Sequence, residues 1–459
     1  MLFTQYYLEC LSQASYLVGD ETSGRAVVID PRRDIAEYLD DAKAHGLTIV
    51  GIISTHFHAD FLSGHLELAR ETGAWIGYGA VAQPEFEVRS LTDGERIGLG
   101  EVTLQILATP GHTPESISVL VYEHADDPVA YGVLTGDALF IGDVGRPDLL
   151  ASVGVTADEL GRMLYDSVQH RLMGLPDAVR VFPAHGAGSS CGKNLSTERQ
   201  STIGEQRALN YACQPMSEAE FLAVVTGGQP PTPGYFAYDA TLNKQRRRLR
   251  DTAATIPALT AEQVDAALAE GAVLHDARDP REFATGHLRG AINVPWDGRL
   301  AETVGTVLTP EQQVVILAPE SQEQQVAMRF ARIGFDNVVG YVADPDAYLL
   351  LRRTAVAPAS RLTANQAKDA ITSADVQTVD IRNQGELIAG MLPGACHIPL
   401  AQLASRADEL DPDRPVLLYC ASGWRSSVGA SLLRAKGFAD VSDLLGGYGA
   451  WQSPQPAAS

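Results

Sequence analysis

Thr55-His56-Phe57-His58-Ala59-Asp60-Phe61 follows directly on the apolar run Ile49 to Ser54. The run reads as a buried strand and the heptapeptide as the loop at its C-terminal end. His56 and His58, two residues apart on an extended end, direct two imidazoles into one pocket. Imidazole is the commonest protein ligand for zinc, iron and copper. Asp60 adds a carboxylate, whereas Phe61 cannot bind a metal. Further along stand His112 in Thr109-Pro110-Gly111-His112-Thr113, Asp137 in Thr135-Gly136-Asp137 and His185 in Pro183-Ala184-His185-Gly186. The strand-like run Val102 to Ala108 leads to His112, and Val129 to Leu134 leads to Asp137. These donors therefore sit on loops at strand ends, where a rigid sheet can position them. A His-x-His pair alone is often structural; the donors that follow it turn the pattern into a metal site.

A chain of 459 residues is too long for one ordinary core and predicts two to four domains. Composition is globular, 45% hydrophobic and 20% charged, with no stretch long and apolar enough to span a bilayer. The formal charge of -22 argues against nucleic acid or an anionic membrane as partner. A small anionic substrate is still compatible, because a local basic pocket can sit in an acidic exterior. Met1 to Asp20 alternates and carries Glu9, unlike a secretory signal. Five cysteines, at 10, 191, 213, 396 and 420, are few and odd in number. A disulfide framework is not expected, and a reducing cytoplasm fits best.

After about residue 250 the chain contains a degenerate repeat. The first copy runs from Asp276 and Arg278 through Glu282, Gly286, Gly290 and Ala291 to Pro295. The second runs from Asp380 and Arg382 through Glu386, Gly390, Gly394 and Ala395 to Pro399. Each continues into an apolar strand, a turn, a helix and a Gly-Phe pair, Gly334-Phe335 and Gly437-Phe438. Strands alternating with helices predict a doubly wound parallel sheet in each copy. Leu351 to Arg361, with Pro358 and several alanines, reads as the linker between them.

The donor series His56, His58, Asp60, His112, Asp137, His185 resembles the metallo-β-lactamase fold family. The repeat resembles rhodanese domains. The implied fold is α/β: a metallo-β-lactamase αββα sandwich over residues 1–252, then rhodanese-like domains over 258–355 and 360–456. In two-metal members of the first family, a histidine stands where this chain has Phe61, and it serves the second metal with Asp60 and His185. Its loss favours a mononuclear site. Two histidines and one carboxylate with open positions are typical of non-haem Fe(II) oxygenases. Resemblance to the persulfide dioxygenases assigns the iron to His56, His112 and Asp137. His58, Asp60 and His185 are then neighbours of the metal or alternative ligands. Zinc would accept the same donors. In the loop Asp143-Val-Gly-Arg146-Pro-Asp148, Arg146 is a candidate for an anionic substrate or for a structural ion pair. Cys191, six residues after His185, is a candidate for lining the pocket or an unreactive thiol.

In the second copy the strand Pro415 to Tyr419 ends in Cys420-Ala421-Ser422-Gly423-Trp424-Arg425-Ser426, with a helix expected over Ser427 to Lys436. Backbone N–H groups wrapped around a sulfur at a helix N-terminus favour the thiolate and stabilise a persulfide on it. Arg425 adds charge, so Cys420 and Arg425 are the expected catalytic pair. Many rhodaneses have a basic residue where Ala421 stands, which leaves thiosulfate recognition open. Aligned back from its Gly-Phe pair, the first copy has Leu317 opposite Cys420 and Gln322 opposite Arg425. Leucine cannot carry sulfane sulfur, so the first copy is expected to be silent.

The block order resembles the bacterial persulfide dioxygenase–rhodanese fusion proteins. That resemblance implies an enzyme with one Fe(II) per chain that takes a small persulfide such as glutathione persulfide, uses O2 and releases sulfite. Cys420 would pass sulfane sulfur, forming or using thiosulfate, in sulfide detoxification. A homo-oligomer is compatible with the sequence. The leading rival is a zinc thioester hydrolase of glyoxalase II type fused to a sulfurtransferase. A sulfide-responsive scaffold without turnover is a third reading.

Overall fold

The computed structural model describes residues 1–149, 154–251, 254–373 and 375–453. The domain limits expected at 252 and 456 fall outside these residues. The chain folds as two compact units. The first is Met1–Ala254 with Arg332–Gly334, and the second takes the remainder from Thr255.

The first unit is built on two six-stranded sheets. One holds, in order, β1 (Leu2–Leu8), β2 (Gln13–Asp20), β3 (Arg25–Ile29), β4 (Thr48–Ile53), β5 (Trp75–Gly79) and β6 (Arg89–Leu91). The other holds β7 (Arg96–Gly98), β8 (Thr103–Ala108), β9 (Ile117–Tyr122), β10 (Gly132–Gly136), β11 (Arg180–Pro183) and β12 (Ser201–Thr202). Alternate side chains such as Tyr16, Val18 and Ile53 from the first sheet and Leu104, Val119 and Leu134 from the second form one core. The opposite face of each sheet is covered too. Tyr38, Ala42 and Leu68 of helices Ala36–Ala44 and His65–Thr72 pack with Leu17, Val28 and Ile52. Leu164 and Phe221 of helices Ala157–Tyr165 and Glu218–Thr226 pack with Val133 and Val181. Burial on both faces explains why these strands read as continuous apolar runs rather than alternating ones.

This topology places the donors. β4 lies parallel to β3 and β5, so its C-terminal end delivers Thr55 to Asp60 at the edge where β3 ends in Asp30. β10 and β11 are parallel with Gly136 opposite Pro183, so Asp137 and His185 emerge side by side. The Ile117 N–H donates to the Thr55 carbonyl (2.9 Å) and draws the ends of the two sheets together. The helix that follows the turn starts at His65. Ser63 first bridges to Arg32, and a Cβ on Gly64 would stand 2.0 Å from the Arg32 carbonyl oxygen. Backbone approach, not helix propensity, sets that start.

In the second unit, β13 (Ala258–Leu259), β14 (Val273–Asp276), β16 (Ile292–Asn293), β17 (Val314–Leu317) and β18 (Val338–Val342) form a parallel sheet in the order β13-β18-β17-β14-β16. β20 (Ser360–Leu362), β21 (Gln377–Asp380), β22 (Cys396–His397), β23 (Val416–Tyr419) and β24 (Val441–Leu444) repeat it as β20-β24-β23-β21-β22. The segment read as a linker carries β19 (Val356–Ala357), which pairs antiparallel with β15 (His287–Leu288), and then enters β20. Register also corrects the internal alignment: Asp276 pairs with Leu317 as Asp380 pairs with Tyr419. Ala318, not Leu317, therefore stands at the position of Cys420, and the Gly-Phe pair misled because the first copy is one residue shorter in between. Among the described residues no helix is long and apolar enough to cross a membrane.

Candidate metal centre and sulfur-carrying loop

His56, His58, Asp60, His112, Asp137 and His185 converge in one buried pocket, none more than 3% exposed. Their atoms fall into two neighbouring groups. His56, His112 and Asp137 form one group, with ligand atoms within 4.8 Å of one another, and His58, Asp60 and His185 form a second to the same limit. Asp137 is central. Its Oδ2 lies 3.8 Å from His56 Nε2 and 3.5 Å from His112 Nε2, and its Oδ1 lies 3.4 Å from His185 Nε2. His185 Nε2 is also 3.5 Å from Asp60 Oδ2.

The two groups differ in how their imidazoles are held. His112 Nδ1 donates to the Arg146 carbonyl (3.0 Å). The Thr55 hydroxyl donates to Asp30 Oδ2 (2.9 Å) and so accepts from His56 Nδ1 (3.0 Å). Both rings thus carry the proton on Nδ1 and present a free Nε2 lone pair, the usual way a ligating histidine is oriented. His58 is fixed the other way round, through Nε2 to Asp30 Oδ1 (2.9 Å), which leaves Nδ1 free. Neither ring nitrogen of His185 has a hydrogen-bond partner among the described residues. Asp30 anchors the arrangement, accepting also from the Thr55 N–H (2.7 Å) while its own backbone holds φ at 52°. Such left-handed strain in a non-glycine residue persists only where surroundings over-determine it.

Electrostatics point the same way. Burial, reinforced by His58, His112 and His185, holds His56 far below its ordinary range, and burial lowers His112 to about 4. Burial raises Asp60 and Asp137 to about 6 each. Both Asp60 oxygens, both Asp137 oxygens, His56 Nε2 and His58 Nδ1 lack hydrogen-bond partners among the described residues. Buried unpaired polar atoms cost about 1–3 kcal/mol each. A cation satisfies this donor set at once, because neutral imidazoles donate to it and carboxylates ionise beside it. The residues present fit a metal.

The wall around these donors is tight. A Cβ on Gly145 would stand 2.0 Å from the Asp137 carbonyl oxygen and 2.9 Å from His112 Nδ1. Phe61 is fully buried, its ring centroid 4.3 Å from that of His58. Arg146 is 2% exposed and its guanidinium grips Asp148 through Nε (2.7 Å) and a terminal nitrogen (2.8 Å), so the group facing the pocket is its carbonyl. Cys191 is buried and groups with Asp137 and His185. Burial, with Asp60 and Asp137 nearby, pushes its thiol far up. The sequence reading missed Asp30, Thr55 and Glu115, whose Oε1 accepts the Phe57 N–H (2.9 Å) and shapes the turn. A usable signal existed for one of them: Asp30 is an acid ending a strand beside the one that carries the histidines.

The second centre is the Cys420 loop. β23 ends at Tyr419, and the helix Trp424–Ala435 starts three residues earlier than expected, on Gly423 at φ 92°. That left-handed turn aims the Gly423 N–H at Cys420 Sγ (3.2 Å), and Ser426 Oγ stands 3.6 Å away. Arg425 is held by Glu386 through two contacts of 2.7 and 2.6 Å. Asp380 and Arg382 pair internally, as Asp276 and Arg278 do in the other copy.

Residues 8–185 match the metallo-beta-lactamase superfamily, and residues 260–344 and 363–454 each match the rhodanese-like domain. The mitochondrial persulfide dioxygenase ETHE1 of Bos taurus is 31% identical over 225 residues, which cover 48% of this chain and 78% of that protein. The Homo sapiens protein of the same name matches with the same figures. A crystal structure of a metallo-beta-lactamase from Staphylococcus aureus subsp. aureus COL is 33% identical, with a TM-score of 0.67, covering 74% of this chain and 98% of that one. The chain belongs to the metallo-β-lactamase superfamily, in which its N-terminal region is homologous to the persulfide dioxygenases, and it carries two rhodanese-like domains behind that region.

Proposed function

We propose that the chain oxidises a small persulfide such as glutathione persulfide to sulfite at one Fe(II), held by His56, His112 and Asp137, and that it moves sulfane sulfur through Cys420. The overall reaction, RSSH + O2 + H2O → RSH + sulfite + 2 H+, balances in atoms and electrons. Iron bound there would supply the redox chemistry that brings dioxygen to the terminal sulfur. The observation that carries the reading is Phe61, a buried hydrocarbon ring against His58 where a second cation would need a donor. His58 Nδ1, which has no hydrogen-bond partner among the described residues, is the atom we propose takes a proton from an entering persulfide.

At the second centre, the Cys420 thiolate attacks the outer sulfur of a persulfide, forming a new S–S bond and releasing the carrier thiolate. Sulfite then takes that sulfur to give thiosulfate and restores Cys420, and the reverse is equally balanced. The Gly423 N–H stabilises charge on the sulfur. The first rhodanese copy, with Ala318 at the cysteine position, is silent. We assign residues 1–252 to the dioxygenase, 258–355 to the silent copy and 360–456 to the active one. All five cysteines are free, which fits a reducing cytoplasm.

One observation favours a second reading. His58, Asp60 and His185 also gather as a donor group, so a zinc pair cleaving thioesters is the rival. Protein loaded with Fe(II) without air is mixed with glutathione persulfide in an oxygen electrode. The proposal expects one sulfite formed per O2 consumed. S-lactoylglutathione cleavage without oxygen, and no oxygen uptake with persulfide, would establish the rival instead.

A further inference from the structure

Within the second unit a half-open cavity of about 470 Å3 lies between the first rhodanese-like sheet and the C-terminal end of the helix Trp424–Ala435. The seam beside it is fixed: the buried Asn293 N–H donates to Ser431 Oγ (2.9 Å). Next to Ser431, Leu432 enters the cavity, facing Leu274, Leu288 and Ile292 of the first copy. The aliphatic walls therefore come from both copies. Volumes of about 300–1,000 Å3 at domain junctions are characteristic of small-molecule sites.

Charge at the cavity runs against the rest of the chain. The protein carries 57 acidic and 35 basic residues, yet no acidic residue lines this cavity, whereas Arg289 and Lys436 both do. Both are exposed, and neither forms an ion pair with a described residue. Thr309 and Gln312 add hydrogen-bonding groups on the same wall. A lining that joins aliphatic side chains to two exposed cations suits a ligand with a hydrocarbon body and one anionic end. Neither the metal centre nor the Cys420 loop contributes a residue, so the site is separate from both centres of the proposed chemistry.

We infer that this cavity binds an amphipathic carboxylate, its chain between the two rhodanese copies and its headgroup between Arg289 and Lys436. The catalytically idle first copy then supplies most of a ligand site. Calorimetric titration of the full chain with hexanoate, octanoate and decanoate tests it. Affinity should rise about fourfold per added methylene until the cavity is filled. The double variant Arg289→Glu/Lys436→Glu should weaken octanoate at least tenfold, and Ala404→Phe, which fills the cavity, should abolish binding. Circular dichroism and sulfur transfer through Cys420 check that both variants are folded. Absence of saturable binding, or octanol binding as tightly as octanoate, would overturn the inference. Binding unchanged in both variants would overturn it as well.

Discussion

Thr55→Val removes one oxygen from the centre of the hydrogen-bond chain Asp30–Thr55–His56 while nearly preserving volume. Thr55 is 1% exposed, so water does not replace what is lost. Asp30 Oδ2 forfeits the hydroxyl donor at 2.9 Å, and His56 Nδ1–H forfeits its acceptor at 3.0 Å. Asp30 keeps the Thr55 N–H and His58, so its own penalty is limited. One newly unpaired buried donor predicts a stability loss of about 1–3 kcal/mol in urea unfolding of the metal-free protein. The His56 ring also loses what fixes its tautomer and direction. Metal affinity should fall about 10–100-fold, or roughly 1.4–2.7 kcal/mol, in a competition titration against a chelator. Thr55→Ser, which restores the oxygen, should recover most of both losses. Loss of stability with metal affinity unchanged would refute the role of this chain in orienting a ligand, and with it the choice of His56.

Further outcomes follow from the same geometry. Phe61→His should supply the missing donor, so zinc titration should reach two equivalents where the wild type stops at one, while stability falls by about 1.5–3 kcal/mol from lost apolar burial. Cys420→Ser should abolish sulfur transfer to sulfite and leave oxygen uptake intact; unchanged transfer would remove Cys420 from the mechanism. Glu67 is wholly buried. Burial alone would raise its carboxyl, but hydrogen bonds from Arg247 (2.5 and 2.7 Å) and the charge of Arg33 bring it down to about 2 from an ordinary 4.5. A carboxyl depressed in the folded state stabilises fully above its unfolded range, and the contribution disappears as pH falls from about 4.5 through 2. The shift corresponds to about 3 kcal/mol. Glu67→Gln should be less stable near neutrality and should lose that part of the acid slope in urea midpoints taken across this window. An identical slope in both proteins would show that the ion cluster contributes nothing.

The parts of this architecture legible in sequence are those in which chemistry is written locally. The strand Ile49 to Ser54 and the turn that follows it appear where the apolar run and His-x-His-x-Asp spacing place them, because strand, turn and donors share one short segment. The paired D-x-R motifs reveal both rhodanese copies for the same reason. The supports of the site are non-local. Asp30 reaches Thr55 across 25 positions, and Arg247 reaches Glu67 across 180, with no periodicity linking them. Alignment by the Gly-Phe pair slipped by one residue because strand register, not loop length, fixes equivalence. The start of the helix at His65 likewise depends on Arg32, which bridges to Ser63 from another segment of the chain.

The central claim is that Phe61 confines the pocket to one redox-active cation, and the metal content of protein purified without air tests it most directly. One iron per chain, lost in His112→Ala and kept in His185→Ala, is the predicted result. Two cations per wild-type chain, or occupancy that depends on His185 rather than His112, would contradict the account.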